Sequence, residues 1–190
     1  MTRTAVVPNR LARTLAKLDL VPAPLRQHAR NFVLRRAVPF TGTARLDFAV
    51  MTPEQVEIGI ANERRVQNHI KGVHAAAMTL LAETATGMVV GMNVRDDCLP
   101  LAKELKVQFK RRTQGDMRAV AQLTPQQRQL MQTQDKGEVV VPVTVTDASG
   151  QAPIECEFIW AWVPSKKTAA PQPSSVPAAS SVWLVNSSAT

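Results

Sequence analysis

Apolar positions along the chain change period several times, and each change marks an element. Leu11, Leu15 and Leu18 recur at helical spacing near the N-terminus. Pro22 and Pro24 interrupt that stripe, and a second helix is predicted from about Leu25 to Arg36. From Thr43 to Met51 the period becomes two, with Ala44, Leu46, Phe48 and Val50 on one face. Thr52 to Gln55 makes a turn. Val56, Ile58 and Ile60 then alternate with Glu57, Gly59 and Ala61, so the two runs read as paired strands.

The pattern then changes character. A polar stretch ends at Gly72, and from Ala75 to Val90 almost every side chain is apolar or small. A helix that is apolar on all sides must be enclosed by the rest of the fold. It is not a membrane span, because Glu83 sits centrally and no uncharged run of sufficient length exists. Its many Ala and Gly residues would let strands approach its backbone. The remainder is β-rich. Leu105 to Arg111 alternates with Leu105, Val107 and Phe109 inward, and Met117 to Leu123 is a second strand. Thr124 to Gln134 reads as a short helix or loop. Gly137 to Asp147 is a β-branched strand, Asp147 to Gly150 a hairpin turn, and Ile154 to Val163 its partner. Read as successive hairpins, these four strands follow one buried helix, which is an α+β order with one helix against one antiparallel sheet.

Three regions follow: a basic helical extension over 1–39, a domain over 40–164, and a Ser/Pro/Ala-rich tail over 165–190 that reads as disordered. Val182 to Val185 is an apolar island in that tail.

Composition narrows the function classes. The chain has 190 residues, 45% of them apolar, which is enough for one core-forming domain. Net charge is +8, compatible with a polyanionic ligand, an anionic membrane or nucleic acid. Aromatic content of 4% and the absence of Tyr leave few stacking platforms, which argues against nucleic acid. Residues 1–39 carry eight Arg or Lys against Asp19 alone. They read as amphipathic helices on the domain edge, with peripheral membrane contact as the functional alternative. Cys98 and Cys156 read as buried reduced thiols, no metal-ligand pattern is present, and no secretory signal precedes the domain, so a cytoplasmic location is expected.

The candidate chemistry lies where the polar loop meets the apolar helix. Asn68, His74 and Glu83 gather there, with His69 beside them in the loop. The segment from Asn68-His-Ile-Lys-Gly-Val-His74 through Glu83-Thr-Ala resembles the core of hotdog-fold thioesterases. It is similar to their largely uncharacterised DUF4442-type branch, and Phe109 to Asp116 resembles that branch's strand and turn after the helix. The resemblance implies a hotdog fold: an antiparallel sheet wrapped around one long helix, here with extra N-terminal helices. It implies an acyl-CoA thioesterase with Asn68, His74 and Glu83 as catalytic residues. The oxyanion and substrate-binding positions would be Gly72 and Ala75, where many family members carry Gly at 75 or 76.

The chemistry asks for these residue types independently. Thioester hydrolysis needs donors for an oxygen that becomes negative, and the free N–H groups of a helix start supply them, that of Ala75 first. It also needs a base or nucleophile, and a carboxylate in an apolar helix suits either role. Each residue also has a plainer role open to it. His74 could be a helix-start residue, Asn68 a turn residue, and Glu83 a carboxylate paired with a basic side chain. Lys106, Lys110, Arg111 and Arg112 are candidates for coenzyme A phosphates, coenzyme A entering as part of the substrate rather than as a cofactor, or they form a solvated strand edge. Positions 74 and 83 lie on opposite helix faces, about 13 Å apart along the axis. One chain therefore cannot aim both at one atom, so a shared site requires a homodimer or dimer of dimers. A non-catalytic hotdog domain holding an acyl or lipid group is the alternative.

Overall fold

A computed structural model describes residues 7–165. The Val182 to Val185 island and nearly all of the tail lie outside the described residues. Two helices open the chain, α1 (Arg10–Leu18) and α2 (Ala23–Ala37), as the Leu spacing and the prolines predict. Asn9 caps α1 by accepting the Ala12 N–H at 2.9 Å. The extension is built into the core rather than laid on it, with Ala12, Leu15 and Leu34 buried.

The first strand starts later than its alternation suggests. Residues Pro39–Ala44 form a short helix, α3, opened by proline at its first position and closed by Arg45 in the left-handed region at φ 55°. Strand β1 is therefore Asp47–Met51. A bulge between Phe48 and Val50 shifts the register, so Met51 is buried and Val50 only half-buried. Its antiparallel partner β2 (Gln55–Ile60) buries Val56, Ile58 and Ile60 as the pattern requires. A single turn of 3-10 helix, Arg64–Val66, leads to helix α4 (Ala75–Gly91).

The later strands are β3 (Cys98–Phe109), β4 (Met117–Gln122), β5 (Gly137–Val141), β6 (Val143–Asp147) and β7 (Ile154–Pro164), with helix α5 (Pro125–Thr133) between β4 and β5. Thr124 and Gln127 form a reciprocal capping box at the start of α5. These strands are not successive hairpins. One half-sheet runs β1-β2-β4-β6 and the other β3-β7-β5. The predicted strand 137–147 is broken at Pro142, which has no N–H to give. Its first half pairs with β7 and its second with β4, so it joins the two halves into one curved wall.

That wall wraps α4, which touches β2, β3, β4, β6 and β7. Leu81, Ala82, Ala85, Val89 and Val90 are fully buried. Small residues permit the close approach: a Cβ at Gly87 would stand 2.7 Å from the Trp160 ring. Beside it the Trp160 indole donates to Thr86 Oγ1 at 3.0 Å. The enclosure is incomplete, since Ala76, Thr79, Leu80 and Glu83 form a stripe that stays at least partly exposed.

Strand β3 needs a correction. It begins at Cys98, well before Leu105, and it is an edge strand paired only with β7. Leu105 and Phe109 do stand on the helix side, opposite the buried Phe158 and Ile154, yet both are exposed because nothing among the described residues covers that edge. Cys98 and Cys156 are free thiols, half-buried rather than buried.

Candidate active site

The polar loop before α4 is a tight turn built on Asn68. Its N–H donates to the Gly72 carbonyl at 2.9 Å, and its own carbonyl accepts from Lys71 at 3.0 Å. Its Oδ1 accepts the N–H groups of Ile70 and Gly72 at 3.0 and 3.1 Å. Lys71 takes the left-handed conformation, φ 62°, that reverses the chain. Asn68 is thus the turn residue that shapes the loop. At Gly72 a Cβ would meet Thr113 Oγ1 at 2.8 Å. Thr113 accepts the Val73 N–H at 3.1 Å, tying the segment after β3 to the helix start. Nothing in the sequence pattern marks Thr113, because its partner lies 40 residues away.

His74 is the N-cap of α4. Its Nδ1 accepts the Ala76 N–H at 3.1 Å, and its carbonyl accepts from Ala77 and Met78 at 2.9 and 3.0 Å. With Nδ1 accepting, the neutral ring carries its proton on Nε2. Three of the first four helical N–H groups are therefore used. That of Ala75 has no acceptor among the described residues, and it stands at the positive end of the helix dipole.

Ala75 lines a cleft of about 610 Å³, whose walls include Asn62, Asn68, Lys71, Phe109 and Arg112. Asn62 is a further polar group of this cleft. Its N–H donates to Asp116 Oδ1 at 2.8 Å and its side-chain amide to the Lys71 carbonyl at 3.1 Å. Its Oδ1 is left buried without a partner. An unpaired buried acceptor is costly and points to a group that completes it. No motif distinguishes Asn62 from the other amides of this region.

Glu83 does not line this cleft. It lies eight residues beyond Ala75, about 12 Å along the helix axis. It is half-buried, and no cation pairs with it among the described residues, so the structural ion pair is absent there. Burial pushes its carboxyl above the ordinary value of 4.5, while a 3.4 Å hydrogen bond from Thr84 Oγ1 pulls the other way. The oxyanion end and the carboxylate are thus separate within one chain, as the helical spacing predicts.

The basic candidates divide. Lys110 and Arg112 line the cleft, Lys110 paired with Glu155 at 2.8 Å. Arg111 is a correction. It lines the cleft as well, but its Nη2 is spent on Asp147 at 2.8 Å, Ser149 Oγ at 2.8 Å and the Gln151 carbonyl at 3.2 Å, and its Nη1 on the Arg112 carbonyl at 2.9 Å. Its Nε, which has no partner among the described residues, is buried, so its charge is held by the wall. The enclosed Asp147 side chain is the hub of that network. Burial would raise its carboxyl, but hydrogen bonds from Ser149, Arg111 and the Gln114 N–H together hold it far below the carboxylate range. Lys106 is a second correction. It stands opposite Glu157 on the outer face of the sheet, in a separate recess of about 220 Å³. Lys71, from the turn before α4, lines the cleft as well.

A curved antiparallel sheet around one central helix defines a hotdog-fold protein. The particular family is equally direct: the model described as Domain of unknown function (DUF4442) matches residues 27–163, and the chain belongs to it. Among solved structures it is similar to a Pseudomonas aeruginosa protein of unknown function that is called a probable thioesterase. The two are 23% identical at a TM-score of 0.66, with 76% of this chain and 97% of that one covered. A mutant of a second P. aeruginosa thioesterase is 14% identical at 0.60, covering 72% and 94%. A Haemophilus influenzae thioesterase is 9% identical at 0.53, covering 66% and 82%. At such identities the likeness establishes the fold. No curated protein matches the chain.

Proposed function

We propose that the protein hydrolyses an acyl-CoA-like thioester as a homodimer with two equivalent composite sites. One observation carries this reading: a free helix-start N–H opens into a cleft, and the same helix bears an unpaired, half-buried carboxylate aimed out of the chain. The uncovered β3 edge supplies the geometry. Leu105 and Phe109 stand exposed on a twelve-residue edge strand whose free N–H and C=O groups are a template for pairing with another chain. A second copy added edge to edge would cover Leu105 and Phe109 and lay its α4 antiparallel to the first. Glu83 of the partner subunit would then approach Ala75.

In that arrangement Glu83 takes a proton from water as the water oxygen bonds to the thioester carbon. The Ala75 N–H holds the carbonyl oxygen as it becomes negative, and the His74 Nε2–H is a candidate second donor. The C–S bond breaks, and the Glu83 carboxyl returns the proton to the departing sulfur. Asn62 Oδ1 accepts an amide N–H of the pantetheine arm, and Lys71, Lys110 and Arg112 meet the phosphates. The names of the thioesterase neighbours support the reaction class.

A complementation assay tests the proposal. Ala75→Pro removes only the N–H, since proline is favoured at the first helical position. Ala75→Pro and Glu83→Gln should each abolish turnover of a panel of acyl-CoAs. Co-expressed, they should recover about a quarter of wild-type activity, because half the dimers then hold one intact site. No recovery alongside active wild type would overturn the composite site. Tight acyl-CoA binding without turnover by wild type would favour a non-catalytic acyl carrier.

A further inference from the structure

Helix α2 has its apolar and polar faces the wrong way round for a helix on a protein surface. Its inner face is polar and is spent on strand β1. Gln27 donates to Asp47 at 2.6 Å, Asn31 Oδ1 accepts the Phe48 N–H at 2.8 Å, Arg30 donates to the Ala49 carbonyl at 2.8 Å, and Arg35 donates to the Leu46 carbonyl at 2.9 Å. Of its larger apolar side chains, Leu34 alone is buried. The outer face is apolar. Leu25 and Phe32 are 58% and 71% exposed. At 100° per residue Leu25, Phe32 and Arg36 fall within about 40° of arc. Leu20 before the helix and Phe40 after it are 85% and 61% exposed.

Charge says what such a face meets. From Leu20 to Arg45 there is no acidic residue, against Arg26, Arg30, Arg35, Arg36 and Arg45. Asp19 and Asp47 border the inner side of the helix, where Arg30 and Asn31 occupy them, whereas Arg36 on the outer side has no acidic partner among the described residues. Exposed Phe and Leu beside that arginine match the interface of an anionic bilayer: rings enter the headgroup layer and the guanidinium meets phosphates. No helix of the described residues is long and apolar enough to cross a membrane, so contact is peripheral. We propose that the α2–α3 edge, led by Leu25, Phe32, Phe40 and Arg36, docks the protein on anionic lipid surfaces.

The test is sedimentation of the full chain with vesicles of phosphatidylcholine alone or mixed with phosphatidylglycerol. Wild type should pellet with the mixed vesicles and far less with the neutral ones, and added salt should release it. Leu25→Ser/Phe32→Ser should weaken binding at least tenfold at an unchanged Tm, since neither side chain is in the core. Arg36→Glu, equally exposed, should weaken it more than fivefold, the loss expected for one arginine near an anionic surface. Absence of wild-type binding, or equal binding by the variants, would overturn the proposal. So would wild-type particles that grow without lipid and shrink in the serine variant, because the face would then pair with another copy. Sedimentation reads no hydrolysis, so Glu83→Gln should pellet like wild type whether or not the protein is a thioesterase.

Discussion

The two ends of α4 are finished in opposite ways. At its C-terminal end every polar group is occupied. Asn9 donates to the carbonyls of Gly91 and Val94 at 2.7 and 2.6 Å. Asn93 donates to the Pro53 and Val89 carbonyls at 2.7 and 2.8 Å and accepts from Arg128 at 3.0 Å. Asp96 and Asp97 are each paired with arginine around a recess of about 450 Å³. At the N-terminal end the Ala75 N–H and Asn62 Oδ1 are unpaired, the cleft is open, and the carboxylate further along faces out. One end satisfies the helix and the other leaves it incomplete. Unpaired groups cost stability, and a fold keeps them where a ligand completes them. Substitutions at the two ends should therefore separate stability from activity.

The largest effect is expected at Glu83. Replacing a general base costs about 10²- to 10⁴-fold in rate, so Glu83→Gln should lower kcat/KM by that amount against the best acyl-CoA. The pH dependence has a definite sign. The base acts when ionised, and burial raises its carboxyl, so the acid limb of the wild-type profile should lie above pH 4.5. A carboxyl raised by folding stabilises the fold only while protonated, and that contribution is lost as pH rises through the folded value. At neutral pH Glu83→Gln should melt at or above wild type. An inactive variant that melts lower would turn Glu83 into a structural residue and erase the contrast.

Asp147 and Asn93 should behave in the reverse way. Asp147→Ala leaves half-buried Arg111, the Gln114 N–H and the Ser149 N–H without their acceptor, a cost of about 1–3 kcal/mol for each donor that stays unpaired. Because the folded carboxyl is held low, its stabilisation is complete above the ordinary value of 3.8 and is lost as pH falls below it. Wild-type Tm should drop through that range by more than that of the Ala variant. Asn93→Ala strands two carbonyls and the Arg128 guanidinium at a buried position, and a loss of about 2–3 kcal/mol by urea denaturation is expected. Where the protein stays folded, kcat should be within a fewfold of wild type. A hundredfold fall at 25 °C would mean that the closed end takes part in the reaction.

Much of this contrast could be read from the residues, and the limits have physical causes. The enclosed helix, its start at His74 and the separation of Glu83 from that start follow from period and spacing, which are local; the partly exposed stripe that holds Glu83 does not, because it depends on where the wall stops. The order of strands does not, because β3 skips β4 to pair with β7 and Pro142 divides one strand between two partners. The basic cluster shows the same limit. Lys106, Lys110, Arg111 and Arg112 look alike in sequence, and only a carboxylate 36 residues away makes Arg111 structural. Inverted faces on α2 were hidden for a similar reason, since its arginines and asparagine find their partners on β1.

The smallest effect is the most diagnostic for His74. As an N-cap its ring is replaceable, because asparagine caps at least as well, whereas alanine costs about 1 kcal/mol. His74→Ala should therefore lose about that much stability and His74→Asn almost none. If capping is the whole role, His74→Asn also keeps its activity. The ring has a second nitrogen, however, and its Nε2–H has no acceptor among the described residues. If it donates to the forming oxyanion, His74→Asn should lose about 10²-fold in kcat at an unchanged Tm. Stability measured on the alanine variant fixes the cap, and kcat measured on the asparagine variant fixes the donor. The residue that caps the helix is thus assigned to stability alone or to stability and catalysis together.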